Sequence, residues 1–301
     1  MMINDRVNQS ALTEEKTLNS WETIKVDKRS ILGTKVNALS VEDATQKAIE
    51  YAQAGKSSYI CLANVHMIME AYDSREFWQT LNTADMVVPD GMPLVWGLRS
   101  LGAIDQTRIT GRDITLSLCK EAAKKGIPVG FYGSSKHTLK LIVTNIKKLY
   151  PDLKVAYSYS PPFRPLSAQE DEAVVKEIQE SGIGILFVGL GCPKQEYWMA
   201  QHKQRIPAVM LGVGAAFDFI AGTKPLAPKL MQETGLEWIF RLCLEPRRLW
   251  KRNQRHNPRF VLLFFLQLLF FVHLFDRLSN FNDHQIHSIY PQLVLINNVN
   301  V

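Results

Sequence analysis

The stretch Gly184-Ile-Leu-Phe-Val188-Gly-Leu-Gly191-Cys-Pro193-Lys-Gln-Glu196 sets an unbroken apolar run against a glycine-rich turn, and then passes into sequence of helical character. A short run without polar alternation reads as a strand buried on both faces, the habit of a parallel sheet covered by helices. The same grammar recurs on either side. Ala208-Val-Met-Leu-Gly212 passes through Val213-Gly214 into helical sequence, and Ile127-Pro-Val-Gly-Phe-Tyr132 passes through Gly133 into an amphipathic helix reaching Tyr150. Tyr59-Ile-Cys-Leu-Ala-Asn64 leads into helical sequence from Val65 to Ala84, and Met86-Val-Val-Pro-Asp90 ends at Gly91. Five strand-then-loop units predict an α/β class with a mainly parallel sheet flanked by helices.

In a Rossmann-like sheet of this kind, ligands sit beyond the carboxyl ends of the strands, where small residues admit them and helix N-termini offer donors to anions. Asn64, Asp90, Gly133, Gly189, Gly191 and Gly214 fall at such positions. Neither Gly189-x-Gly191-x-x-Lys194 nor Gly212-x-Gly214-x-x-Phe217 completes GxGxxG, and no GxxxxGK[ST] is present, so the dinucleotide and P-loop fingerprints both fail. Each glycine alone reads equally well as a tight turn or a ligand contact.

Asp90 stands between Pro89 and Gly91 at the mouth of an apolar strand. Partial desolvation there raises a carboxylate's pKa and suits it to take a proton from a hydroxyl nucleophile; the alternative role is a cap for the next helix. Asn64 can orient a sugar hydroxyl or serve as a satisfied strand-end amide. In Arg108-Ile-Thr-Gly-Arg112-Asp113, Arg108 reads as a phosphate clamp and Asp113 as the N-cap of the following helix, with purely structural roles open for both. Lys194 and Gln195 begin a helix, where an anion is favoured. Cys192 has no histidine nearby in sequence and reads as a small turn residue. The seven histidines show no HExxH or other strong metal spacing, and no Asp-x-Asp occurs, so neither a metal nor a cofactor is demanded.

The charge is local. The chain carries 35 Lys+Arg against 29 Asp+Glu, net +6, and the segment Arg241 to Arg259 alone supplies that excess through Arg241, Arg247, Arg248, Lys251, Arg252, Arg255 and Arg259 against Glu245. A neutral body with one basic patch argues against a nucleic-acid coat and for a single anionic partner. Next comes Phe260 to Phe275, apolar except for Gln267 and His273. As a helix it is about 24 Å long, short of the roughly 30 Å bilayer core. Either lipid or protein must cover it, and the basic flank favours lipid. Four cysteines spaced roughly 50 to 75 positions apart fit reduced, buried thiols. With 46% hydrophobic residues, whole-chain disorder is excluded. The divisions expected are a polar leader over 1–28 without signal-peptide pattern, an α/β body over 29–235, a basic-then-apolar membrane-associating helical appendage over 236–278, and a tail over 279–301.

Asn64-Val-His-Met-Ile-Met-Glu-Ala71, Ala84-Asp-Met-Val-Val-Pro-Asp-Gly91, Arg108 to Asp113, Phe131-Tyr-Gly133, Gly189 to Glu196, Gly212-Val-Gly-Ala-Ala-Phe-Asp218, Gly235-Leu-Glu-Trp238 and Glu245-Pro-Arg-Arg248 together resemble the WecG/TagA/CpsF glycosyltransferase family. The resemblance runs over roughly residues 30 to 255. It implies transfer of a sugar, often N-acetylmannosamine or its uronic acid, from a UDP-sugar donor to a polyprenyl-diphosphate-linked acceptor at the cytoplasmic membrane face, during surface polysaccharide synthesis. Carried over by position, it makes Asp90 the general base of an inverting, metal-independent transfer. It makes Asn64 an active-site polar group, gives ligand contacts to Arg108 and Gln195, and gives the acceptor's diphosphate or the membrane to the basic residues after Trp238, among them Arg241, Arg247, Arg248, Lys251 and Arg252. Asp113, Gly133, Gly189 and Gly191 complete the substrate-binding set. The chain departs from the family pattern at Leu62, where a threonine is usual, and at Lys251, where arginines are. Two other classes stay open: a nucleotide-dependent oxidoreductase on a similar sheet and a non-catalytic membrane adaptor. The oligomeric state, homo-oligomer included, is not legible.

Overall fold

The computed structural model describes residues 27–279. All but the first residue of the expected tail and most of the expected leader lie outside the described residues; strand β1 (Asp27–Ile31) already occupies the leader's last two positions. It forms an antiparallel hairpin with β2 (Thr34–Ala38). There follow α1 (Val41–Gln53), β3 (Ser58–Ala63), α2 (Val65–Asp73), α3 (Arg75–Asn82), β4 (Met86–Pro89), α4 (Met92–Ser100) and α5 (Gly111–Lys125). The second half contains β5 (Val129–Gly133), α6 (Lys136–Leu149), β6 (Val155–Tyr159), α7 (Ala168–Glu180), β7 (Ile185–Gly189), α8 (Lys194–His202) and β8 (Val209–Gly212). Four helices end the described chain: α9 (Ala216–Ala221), α10 (Lys229–Glu233), α11 (Glu237–Leu244) and α12 (Pro246–Ser279).

Strands β3 to β8 form one sheet in the order β4-β3-β8-β7-β5-β6, every pair parallel. The five anticipated strands are all present. Successive side chains point to opposite faces, which gives the sheet two cores. Ile60, Leu62, Ile185, Phe187, Val209 and Leu211 face one, while Tyr59, Cys61, Leu186, Val188 and Met210 face the other. Leu62, the departure from the family pattern, is therefore a core residue. The helical stretch expected from Val65 to Ala84 is broken at Ser74, whose extended backbone ends α2 and whose side chain caps α3 by accepting from Phe77 N.

The hairpin and β6 were not anticipated. The hairpin guards the sheet edge: buried Asn37 accepts from Val87 N through Oδ1 at 2.7 Å, satisfying an amide of edge strand β4 that would otherwise invite pairing. Its turn is held from the far end of the chain, where the Gln267 amide accepts from Leu32 N at 2.8 Å and donates to Ser30 O at 2.7 Å. That accounts for a polar residue in an apolar run.

From Pro246 onward the basic and apolar segments form one continuous helix, α12, of about 51 Å, while Arg241 lies on the preceding α11. Its inner face lies against the body: Phe260 is buried with the second core, Phe264 packs over Gly97, and Arg259 makes a bidentate pair with Asp73 at 2.7 and 2.9 Å. Its outer face leaves Val261, Leu262, Phe265, Leu266, Phe270 and Phe271 exposed. Among the described residues no helix is long and apolar enough to cross a membrane. The cysteines are free, with Cys61 and Cys119 buried as expected but Cys243 exposed.

Candidate active site

Strand order places the sequence-derived residues along one edge of the sheet. Asp90 follows β4, Asn64 follows β3, Val213-Gly214 follow β8, Gly189 to Gly191 close β7 and Gly133 closes β5. Between β3 and β8 the chain leaves in opposite directions, because α2 packs Met67, Ile68 and Met69 into one core while α9 packs Ala216, Phe217 and Ile220 into the other. A crevice at such a divergence is where open α/β sheets bind ligands. With about 4.8 Å between strands, Asp90 and the Gly189 turn stand about 14 Å apart along it.

Asp90 does not cap a helix. The N-cap of α4 is Gly91, with no side-chain cap, and the Asp90 carboxylate makes no hydrogen bond among the described residues. Its backbone is fixed by donation from Asp90 N to Ala63 O at 2.8 Å and by acceptance at its carbonyl from Arg108 Nε. Arg108 Nη2 lies 3.7 Å from Asp90 Oδ1, while its Nη1 pairs with Glu237 Oε2 at 2.7 Å, and Glu237 Oε1 lies 2.6 Å from Arg241 Nε. A chain of alternating charge thus runs from the sheet edge into α11. Burial pushes the Asp90 carboxyl up from its ordinary value; Arg108 and Arg241 pull against it, and Glu237 and Asp113 add to it. Glu237 shows the opposite balance, since Arg241 and Arg108 overcome its burial and hold it below the usual carboxylate range.

Asn64 caps α2, its Oδ1 accepting from Met67 N at 3.2 Å. Its strand-end role is therefore realised, while its amide nitrogen stays uncommitted among the described residues. Asp113 is not the N-cap expected of it. Thr110 caps α5, accepting from Asp113 N at 3.1 Å and donating to Asp113 Oδ2 at 2.7 Å, because the hydroxyl is the group that reaches the first free N–H groups of the helix.

The glycines divide by geometry. At Gly133, φ is +116° and a Cβ would lie 2.5 Å from Gly189 O, and at Gly189 a Cβ would lie 2.4 Å from Phe217 Cδ2. Both are required by packing. Gly191, with φ +81°, has nothing within 4 Å of where its Cβ would stand, so its turn faces open space. Gly133→Ala is expected to destabilise the fold by about 1–3 kcal/mol, read as a lowered urea midpoint with unchanged slope.

The family described as Glycosyl transferase WecG/TagA/CpsF matches residues 29–273. The chain belongs to this family. An N-acetylglucosaminyldiphosphoundecaprenol N-acetyl-beta-D-mannosaminyltransferase of Bacillus spizizenii is 32% identical over 203 residues, covering 67% of this chain and 77% of the relative. Its namesake in Bacillus subtilis is 32% identical over 217 residues, covering 72% and 82%. The protein is a glycosyltransferase, and the oxidoreductase and adaptor readings fall.

In the transferase, Gln195 is buried, its Oε1 accepting from Gly191 N at 3.1 Å and its Nε2 donating to Glu196 Oε1 at 2.7 Å. Its amide is spent on shaping the Gly189–Gly191 turn. Glu196, which sequence reasoning passed over, is fully buried with no partner for Oε2 among the described residues, and burial pushes it up to about 7. Beside it, burial and the Glu196 carboxylate push the Cys192 thiol far up, which leaves it an unreactive turn residue. A carboxyl that ionises near 4.5 unfolded and near 7 folded costs stability as pH rises through that window, by about 3 kcal/mol in all. Glu196→Gln should abolish that loss, so chemical denaturation at pH 5 and pH 8 should show a smaller difference for the variant than for the parent.

The five basic residues singled out divide by exposure. Arg241 lies over the Phe219 ring at 4.9 Å, and Arg252 is half-buried with Nε unpartnered among the described residues. Burial pulls the Arg252 guanidinium down, and Arg248 and Arg241 reinforce that. A desolvated guanidinium among like charges is a site prepared for an anion. Arg247, Arg248 and Lys251 are exposed; Arg248 pairs with Glu245, while Arg247 and Lys251 flank the exposed Trp250.

Proposed function

We propose that the enzyme transfers an N-acetylmannosamine-type hexosamine from a UDP-sugar to a polyprenyl-diphosphate-linked saccharide, with inversion, at the cytoplasmic membrane face in surface polysaccharide synthesis. The observation that carries this reading is the Asp90 carboxylate, free of hydrogen bonds among the described residues and held at the end of β4 beside Arg108. The acceptor hydroxyl gives its proton to Asp90 as its oxygen bonds to the anomeric carbon; the bond from that carbon to the UDP oxygen breaks, and UDP leaves with the electron pair. Burial raises the base's proton affinity, while Arg108 and Arg241 pull against that rise.

The donor would lie along the strand ends, its diphosphate toward the open Gly191 turn and the start of α8 beside Lys194, where a helix N-terminus favours an anion. Gly133 and Gly189 let β5, β7 and Phe217 pack closely beneath the turn, Gln195 holds the turn, and Asn64 and Asp113 flank the sugar end. The body over 29–235 then supplies donor and base, and the appendage over 236–278 supplies acceptor and membrane. Arg241 and Arg252 would take the acceptor's diphosphate, while Arg247, Arg248, Lys251 and the bare face of α12 meet headgroups and acyl chains.

The test is a panel of UDP-sugars with a short lipid-diphosphate N-acetylglucosamine acceptor. UDP release that requires both acceptor and a hexosamine donor is expected; release independent of the acceptor, or from no UDP-sugar, would overturn the reading.

A further inference from the structure

We propose that His66, Glu70 and His256 form a divalent transition-metal site, suited to zinc, that clips the appendage helix α12 to helix α2 of the body. His66 and Glu70 are four residues apart on α2 and so share one face of it; His256 enters from α12. One ligand atom from each of the three lies within 4.8 Å of those of the other two. Both imidazole Nε2 atoms stand 3.5 Å from the same oxygen, Glu70 Oε1. That is too long for a strong hydrogen bond. It does match the edge of a tetrahedron built on bonds of 2.0–2.1 Å, which is about 3.3 Å.

The second observation is His256 itself. Its side chain is 4% exposed, yet Nδ1 has no hydrogen-bond partner among the described residues and Nε2 has only the long approach to Glu70. The Nε2 of this buried ring has no close partner, which is costly, and an ion between it and Glu70 would remove that part of the cost.

The surroundings narrow the ion. Arg252, Arg255 and Arg259 face the group from α12 and Asp73 faces it from α2, with Asp73 engaged by Arg259 at 2.7 Å and Arg255 at 3.5 Å. A hard cation held by charge and oxygen donors gains little in a cationic neighbourhood with a single free carboxylate. Two imidazoles and one carboxylate are a zinc donor set, with water in the fourth position. Arg252 lies one turn before His256 on the same helix, so an ion here would also fix where Arg252 stands. Sequence spacing could not show this site, because His66 and Glu70 alone form no recognised metal pattern and the third ligand comes from the other end of the chain.

The full-length protein, treated with chelator and titrated with zinc chloride in a calorimeter, should bind one ion per chain and melt at a higher temperature; cobalt in its place should give the visible bands of a tetrahedral ion. Loss of a second-shell partner alone costs about 10–100-fold in metal affinity, so Glu70→Gln and His256→Ala should each cost more. Glu70→Gln keeps shape and removes charge, and its unchanged metal-free melting temperature keeps the test valid if His256→Ala fails to fold. A His284→Ala/His287→Ala variant should retain parental binding. No zinc bound, or zinc bound equally by parent and Glu70→Gln, overturns the proposal, as does loss of binding in the tail variant.

Discussion

Asp90→Asn is expected to lower turnover by about 10²–10⁴-fold, the range that a positioned general base supplies, while leaving donor affinity and melting temperature near the parental values. The amide keeps the shape of the side chain and the backbone bonds to Ala63 and Arg108, which do not involve the carboxylate. What it loses is the capacity to take a proton. The pH profile separates this from a positional effect: a base must be ionised, and burial places Asp90 above the ordinary carboxylate value, so kcat/KM of the parent falls as pH drops through that raised pKa. In the variant this acid limb disappears. Folding linkage points the same way, because a carboxyl raised by burial costs stability above its unfolded pKa, so the neutral amide is not expected to unfold more readily at pH 7. Turnover at the parental level would remove Asp90 from the chemistry.

The combined change Leu262→Asp, Phe265→Asp and Phe270→Asp should abolish binding to anionic vesicles without altering the melting temperature. These side chains are 60%, 56% and 64% exposed, so the fold gains little from them in water. In a membrane each contributes about 1.5–3 kcal/mol when fully buried, and losing three lowers partitioning on the order of a thousandfold or more. The basic contribution is separable: Lys and Arg near an anionic leaflet supply about 1 kcal/mol each and are screened by salt, whereas apolar insertion is not. Co-sedimentation at low and high salt therefore reads the two faces independently. Vesicle binding unchanged by the triple substitution would show that this face serves something other than lipid.

The parallel strands were legible because they are buried on both faces, and sequences such as Ile185-Leu-Phe-Val188 leave no other reading. Strand β6 was not, since Val155-Ala-Tyr-Ser-Tyr159 lies half-buried at the open sheet edge and carries a mixed pattern. The hairpin was hidden for a related reason: Asp27-Lys-Arg-Ser-Ile31 is mostly exposed, and its role is to shield β4. In the candidate site, the strand-end placement of Asp90 and the proximity of Arg108's loop to it were legible from position alone. The partners that tune them could not, because Glu237 and Arg241 come from α11 and meet Arg108 only in three dimensions. Glu196 reads in sequence as an ordinary acid in the first turn of a helix, and only its burial marks it. Its signal, if one was available, was the buried Met199 one turn later on the same face. Asp113 misled because an acid at the third helical position and an N-cap look alike until the hydroxyl of Thr110 is seen to hold the cap.

Direct displacement by a hydroxyl that Asp90 deprotonates inverts the anomeric centre, and this is the most direct consequence of the proposed chemistry. Nuclear magnetic resonance of the purified product, set against the anomeric configuration of the UDP-sugar donor, reads it. The expected result is a glycosidic bond of the opposite configuration to the donor's sugar–diphosphate bond; retention of the donor's configuration would contradict a single displacement and, with it, the role given to Asp90.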